Sequence, residues 1–330
     1  MKAAFYSRFG AAEEVLHVGD LPVQAPAPGE LLVRVIASGV NPSDVKNRAG
    51  AVLAEMPYPR IVPHNDGAGI VESVGHGVAR SRVGERVWLW NAQFGRADGT
   101  AAEFVTLPQE RAVPLPENVS FLEGACVGVP LQTAYRSVTC GTSIEGQVVL
   151  ISGAAGAVGR YAVQAAKAKG ARRVIATVGS SDRAESVRAA GADVVLNYRQ
   201  VASLSDEILE ANRGQPVDRI VEVEWGANYA SDLAVIRQGG EIYAYGSAEN
   251  MSPAIAVQRL LVAGVTVHFR SVYLLNTEDR RTGIRDITGW LERGLLSHEV
   301  GATYPLERIA AAHEAVESKT HVGKVIIEIA

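Results

Sequence analysis

Two textures of apolar and polar positions divide this chain. Up to about residue 120 the apolar residues come in short runs of β type at 31–36, 69–74, 86–89 and 102–107. Breakers such as Pro26-Ala27-Pro28-Gly29 and Val83-Gly84-Glu85 separate them. Short runs bounded by turn residues predict an irregular, largely antiparallel β domain. From Gln147 apolar runs of strand length at 148–152, 173–178, 193–196, 219–223 and 241–245 alternate with amphipathic stretches at 158–169, 183–190 and 228–236. Parallel strands need helical crossovers that cover both sheet faces, so this half predicts a doubly wound parallel sheet. The tail carries a helical stretch at 305–318 and a strand at 325–329, and the pattern leaves open which domain that strand joins. The expected fold class is α/β, with a mainly antiparallel β domain beside the parallel one.

A length of 330 residues suits two packed domains. With 47% hydrophobic and 21% charged residues and a net charge of -4, no excess of either sign attracts nucleic acid or acidic lipid. The N-terminal residues lack the apolar core of a secretory signal, and no stretch is apolar for long enough to cross a bilayer. A cytoplasmic location, with no membrane and no nucleic-acid partner, is therefore expected. Cys126 and Cys140 form no Cys-x-x-Cys pair and stand beside no histidine at metal-ligand spacing, so they read as buried thiols.

The strongest local signal is the apolar run Val148-Val149-Leu150-Ile151 passing through Ser152 into Gly153-Ala154-Ala155-Gly156-Ala157-Val158-Gly159 and then a helical stretch. Gly156 would let the backbone approach a pyrophosphate, and Gly159 would let the helix pack close to the strand. The opening N-H groups at Ala155, Ala157 and Val158 would hold the anion. Ala154 stands where the usual first glycine is found, so the turn is a variant of the dinucleotide fingerprint.

The end of the next strand bears on which dinucleotide. An NAD site places Asp or Glu about 20 residues on, to bond the ribose 2'-hydroxyl. Here Val178-Gly179 occupies that place, followed by Ser180-Ser181-Asp182-Arg183. A carboxylate facing a 2'-phosphate at 4 Å would cost about 4 kcal/mol near a protein surface. Its replacement, with Ser180 and Arg183 as donors, favours NADPH. Asp182 is expected to cap the following helix. Tyr198 either covers the adenine edge of this pocket or packs between loop and sheet.

These segments, together with Gly39-Val40-Asn41-Pro42-Ser43-Asp44, Gly128-Val129-Pro130-Leu131-Gln132-Thr133, Tyr245-Gly246-Ser247 and Gly323-Lys324-Val325, occur in one order along the chain. In this the chain resembles the zinc-free quinone oxidoreductase branch, which includes zeta-crystallin, of the medium-chain dehydrogenase/reductase superfamily. The resemblance implies a GroES-like domain over 1–125 completed by 300–330, an NADP(H)-binding Rossmann domain over 126–270, and a segment from 271 that returns to the first domain. It implies a homodimer or homotetramer built by pairing the Rossmann sheets.

It also implies site residues. Thr133, Gly246, Ser247 and the backbone around His268 would lie near the nicotinamide, and Lys324 would approach a cofactor phosphate. Asn41 and Asp44 would face the acceptor, with Asn41 as hydrogen-bond donor to its carbonyl; the alternative is Asx-turn chemistry around Pro42. Lys46 stands where relatives carry a tyrosine that touches the nicotinamide. Zinc-dependent relatives hold their metal with a cysteine and a histidine; those positions correspond to Asn41 and Asn65 here, so no metal is expected. His64, one residue out of register, reads as a surface or pocket-lining histidine. Trp88, Trp90, Phe94, Trp225 and Tyr273 are either walls for a flat acceptor or core.

Without a Lewis acid, an unactivated alcohol is a poor substrate, whereas a conjugated carbonyl takes hydride unaided. The expected function is metal-free, NADPH-dependent reduction of a quinone. Reduction of an α,β-unsaturated aldehyde or ketone is the nearest alternative, and an NADPH-binding structural or RNA-binding role the more distant one.

Overall fold

The computed structural model describes residues 1–319 and 321–329 and divides into two compact units. The first contains residues 1–129, 284–294 and those from 298 onward; the second contains 130–283 and 295–297.

In the first unit β1 (Lys2–Phe5) and β2 (His17–Asp20) form an antiparallel pair. The main sheet draws on β3 (Glu30–Val40), β4 (Asp66–Val74), β5 (Arg86–Leu89), β6 (Phe104–Pro108) and β7 (Ala112–Pro114). Leu31, Val33 and Val35 alternate along β3 and bury one face with Val71, Val87, Leu89, Val105 and Leu107. β3 runs past its apolar stretch through Ala37, Ser38 and Gly39, residues with little strand preference. Pairing on both sides holds them extended.

The second unit contains β8 (Val148–Ile151), β9 (Arg173–Val178), β10 (Val194–Asn197), β11 (Val217–Glu222), β12 (Ile236–Ala244) and β13 (Thr266–Phe269). Among the described residues these form one parallel sheet in the order β10-β9-β8-β11-β12-β13. The strand order reverses between β8 and β11, and open α/β sheets bind ligands at the carboxyl ends beside such a reversal. The helix expected over 228–236 begins earlier, as Trp225–Val235, because Trp225 is itself buried in the core.

The tail supplies β14 (Val300–Pro305) and β15 (Lys324–Glu328). Between them the 3-10 turn Leu306–Arg308 leads into the helix Ile309–Glu317. β15 lies between β14 and β3, parallel to the first and antiparallel to the second, which settles the question the pattern left open. Val325 and Ile327 join Val40, Val45, Leu306 and Ile309 in one apolar cluster. Among the described residues no helix is long and apolar enough to cross a membrane.

Candidate active site

In the second unit β8 runs into the glycine-rich turn, and the helix Ala157–Ala168 follows Gly156. The tight turn is made one residue earlier than the fingerprint suggests. Gly153 has φ +63°, and Ala154 is buried with its N-H on Thr177 O at 2.9 Å. At Gly159 an added Cβ would lie 2.5 Å from Gly153 O, so helix and turn are in backbone contact there. Gly156 is exposed and Ala155, Ala157 and Val158 are half-buried, which leaves the opening N-H groups of the helix accessible to an anion.

At the end of β9, Val178 is buried, and Tyr198 lies over Gly179, its hydroxyl 2.6 Å from where a Cβ would be. The Arg199 guanidinium stands 5.9 Å from the Tyr198 ring centroid, a second cation, besides Arg183, in the segments that follow β9 and β10. Asp182 does not cap the helix as expected. A 3-10 turn over Ser181–Arg183 moves the helix start to Ala184, and Asp182 stays exposed inside that turn. A hydrogen bond with the Ser180 side chain, more than the Arg183 charge, holds its carboxyl below the usual range. Ser181 accepts from Asn197 Nδ2 at 3.0 Å and donates to Gln200 Oε1 at 2.9 Å, tying this turn to the loop after β10.

Beyond the reversal, Gly246 O accepts from Trp225 N-H at 3.0 Å. The Ser247 hydroxyl accepts from Gly226 N-H at 2.9 Å and donates to Asn250 O at 2.6 Å, so it ties its own loop to the start of the helix Trp225–Val235. Glu222, at the end of β11, was not foreseen. Its Oε1 accepts from the Ser152 hydroxyl and from Asn228 Nδ2, linking the ends of β8 and β11. Burial pushes its carboxyl up, and pushes that of Asp232 well above the usual range with help from the Glu222 charge. Thr133 is buried in the helical stretch Phe121–Thr139, and His268 on β13 has Nε2 3.1 Å from Glu241. Trp88, Trp90 and Trp225 are buried.

The first unit gathers Asn41, Asp44, Asn65, Asp66 and Lys324, all buried, at the ends of β3, β4 and β15. Asp66 Oδ2 accepts from Asn41 Nδ2 at 2.8 Å and from Lys324 Nζ at 3.0 Å, and Lys324 also donates to Asn41 Oδ1. Lys324, implied to approach a coenzyme phosphate, instead has its ammonium in this cluster, because its strand enters beside β3. Asp44 accepts from Asn41 N-H at 2.8 Å and from Asn65 Nδ2 at 3.0 Å. Burial, reinforced by the negative charge of Asp66, pushes its carboxyl up to about 7. Lys46, on the helix Pro42–Arg48, is exposed, while Asp44, Val45 and Arg48 form the buried face.

His64 is neither on the surface nor lining a pocket: it is 0% exposed, because β4 and its neighbours enclose the segment leading into Asp66. Its Nδ1 lies 2.8 Å from Ser38 Oγ, which lies 2.7 Å from Thr100 Oγ1, and Thr100 donates to Asp66 O at 2.6 Å. On the other side His64 Nε2 lies 2.9 Å from His313 Nε2. A carbonyl only accepts, so each proton in the chain has one place. Thr100 donates to Asp66, Ser38 to Thr100, and His64 Nδ1-H to Ser38; neutral His64 then accepts at Nε2 from His313 Nε2-H. Burial, more than neighbouring charge, holds both imidazoles below their usual range, His313 down to about 3, so both are neutral.

A catalytic zinc does not fit these residues. The two ligand positions are amides already spent on Lys324, Asp66 and Asp44, and a fixed ammonium would face the metal. Among the described residues no group of three or more His, Cys, Asp or Glu side chains is arranged to hold one. A dinucleotide does fit the second unit, where the glycine contacts at 153 and 159 shape a helix start open to an anion.

The chain matches the family described as "Alcohol dehydrogenase GroES-like domain" over residues 27–117 and that described as "Zinc-binding dehydrogenase" over 157–288. A quinone oxidoreductase of Rattus norvegicus is 31% identical over 99% of this chain and 97% of its own. The crystal structure of Escherichia coli quinone oxidoreductase complexed with NADPH superposes with a TM-score of 0.87 at 26% identity, covering 100% of each chain. A structure described as an NAD-dependent alcohol dehydrogenase reaches 0.89 at 29% identity, also over 100% of each chain. With a Rossmann sheet, a GroES-like sheet and relatives matched along nearly their whole length, the chain belongs to the quinone oxidoreductase-like (zeta-crystallin) branch of the medium-chain dehydrogenase/reductase superfamily.

Proposed function

We propose that this chain is an NADPH-dependent quinone reductase that works without a metal. The observation that carries the reading is the ammonium of Lys324 on the carboxamide of Asn41, where zinc-dependent relatives carry a thiolate ligand. A site so furnished suits an acceptor whose own conjugation spreads the incoming charge.

The helix start at Ala155, Gly156, Ala157 and Val158 would take the pyrophosphate. Gly179, Ser180, Arg183 and Tyr198 would take the 2'-phosphate end, with no carboxylate at Val178 to repel it. Thr133, Gly246, Ser247 and the His268 backbone would border the nicotinamide. When bound, the reduced nicotinamide supplies a hydride. Asn41 and Asp44 would face the acceptor, Asn41 donating a hydrogen bond to its oxygen and Lys46 lying at the rim. Two electrons and the hydride's proton, with one further proton, convert a quinone to a hydroquinone.

We further propose a cytoplasmic homodimer or homotetramer. β13 is an edge strand of the parallel sheet, and Phe269 on it and Leu261 and Val262 near it are exposed, as a self-association face would have them. Sedimentation or light scattering would measure the assembly.

The test is turnover of NADPH and NADH against simple quinones, 2-alkenals and primary alcohols, with a chelator present. Fast NADPH oxidation by quinones is expected. Faster turnover of 2-alkenals would shift the assignment to enone reduction, and chelator-sensitive alcohol oxidation with NAD would overturn it.

A further inference from the structure

The β3 and β15 register sets Val40 opposite Val325, so the next pair outward is Asn41 and Lys324; the β3 and β4 register sets Gly39 opposite Asp66. Two strands flanking β3 thus deliver an ammonium and a carboxylate to the single carboxamide at its end. The path is built for them. A Cβ on Gly39 would lie 2.2 Å from Ala125 O and 2.9 Å from Lys324 Cε, so glycine at this position leaves room for the neighbouring backbone and for the end of the lysine side chain. The carboxylate is held on its far side as well, Asp66 Oδ1 accepting from Val129 N-H at 2.7 Å.

This arrangement fixes which way the Asn41 amide faces. An ammonium has no lone pair, so its partner on Asn41 must be the oxygen. A carboxylate paired with that ammonium carries no proton, so its partner must be the nitrogen. One Nδ2-H is spent on Asp66 and one remains. The ammonium on Oδ1 draws electron density from the amide nitrogen, which strengthens the remaining N-H as a donor. Asp66 stops the amide from turning and balances the buried charge.

We infer that Lys324 and Asp66 are positioning residues that lock and polarise the Asn41 carboxamide, whose second Nδ2-H meets the acceptor oxygen as negative charge develops on it. The inference rests on the quinone-reductase reading and deepens it. It gives Lys324 a role in the chemical step in place of the coenzyme phosphate contact that the resemblance implies.

The test is steady-state quinone reduction, with NADPH affinity measured separately by fluorescence. Asn41→Ala is expected to lower kcat on the order of 100-fold, as loss of one oxyanion donor does elsewhere. Lys324→Met alone would strand Asp66 as a buried charge, so it is combined with Asp66→Asn. That pair is expected to melt as a folded protein, bind NADPH as before and lose most of kcat. Adding Asn41→Ala to it should cost little more, because all three act through one hydrogen bond. Lys324→Arg, which keeps the charge and the donors, should retain far more kcat than Lys324→Gln combined with Asp66→Asn, and this comparison decides the matter if the Met and Asn pair does not fold.

Multiplicative losses in the triple variant, or equal losses in Lys324→Arg and in Lys324→Gln combined with Asp66→Asn, would sink the positioning role while leaving quinone reduction intact. Weakened NADPH binding with unchanged kcat in the lysine variants would return Lys324 to the coenzyme phosphate. Full kcat in Asn41→Ala would remove the amide from the reaction and sink the inference alone. A wild-type chain that turns over no quinone would sink the reading beneath it.

Discussion

His64 and His313 face each other Nε2 to Nε2 across 2.9 Å, and the hydroxyl chain behind His64 makes it the acceptor of the two. Nitrogen-detected NMR is therefore expected to show His64 protonated at Nδ1 and His313 at Nε2, both neutral at pH 6. Their values in the folded chain are depressed, His313 to about 3, so from the ordinary 6.5 downward the unfolded chain binds protons that the folded chain refuses. The pair thus costs stability as the medium is acidified through that window. Imidazolium signals from either residue at pH 6 would contradict the assignment.

Asp44 acts in the opposite direction. Its carboxyl is raised from 3.8 to about 7, so between those values the folded chain keeps a proton that the unfolded chain has lost, and stability falls as the pH rises. Asp44→Asn removes this dependence and is expected to gain on the wild type above pH 7 by about 1–4 kcal/mol. Asn65 Oδ1, now without a partner, can turn to accept from the new amide. Melting temperatures of both proteins across the window give the difference; a variant less stable than wild type at pH 8 would show that the hydrogen bonds from Asn41 and Asn65 hold Asp44 as an anion despite its burial.

Gly159 is where helix and turn touch, and a Cβ there would sit 2.5 Å from Gly153 O and 2.7 Å from Ala154 Cα. Gly159→Val should overpack the junction by about 1–3 kcal/mol. Because the strain falls on the helix start, NADPH binding should weaken about ten- to a hundredfold. Calorimetric titration checks it, and unchanged affinity would separate this turn from the coenzyme.

The proposed function gives Arg183 the 2'-phosphate of NADPH to hold. Arg183→Ala should lose a charge-assisted contact of about 1.5–3 kcal/mol, raising KM for NADPH by about ten- to a hundredfold and leaving that for NADH nearly unchanged. Equal effects on both coenzymes would place the guanidinium elsewhere. A further loss on substituting Arg199 would identify the second cation over Tyr198 as its partner.

Much of the fold was legible because local pattern and tertiary pairing agree: the runs at 86–89 and 173–178 are strands over those very residues. Disagreement arises where pairing overrides propensity. Ala37, Ser38 and Gly39 are weak strand formers held extended by β4 and β15, and the place of β15 depends on a partner 283 positions away, which no window of sequence reveals. The sites follow the same rule. The glycine turn announces itself, although its left-handed residue is Gly153 rather than a residue at 154. Glu222, by contrast, looks like a surface acid in sequence, and its burial comes only from the ends of β8 and β11 meeting. His64 misled for the converse reason: a polar residue between Pro63 and Asn65 suggests a loop, and its neighbours Ser38, Thr100 and His313 are remote in sequence.

The insertion of β15 between β14 and β3 also dictates an order of events during synthesis. The parallel sheet has all its strands once Phe269 has been made, so it can close while translation continues. The other sheet cannot, since a strand from its interior has yet to be polymerised. Until then β3, paired with β6 over residues 30–34, offers a bare edge over residues 37–40 with Asp66 lacking its cation, and the nascent chain at that stage is the species for which a chaperone would have most to do.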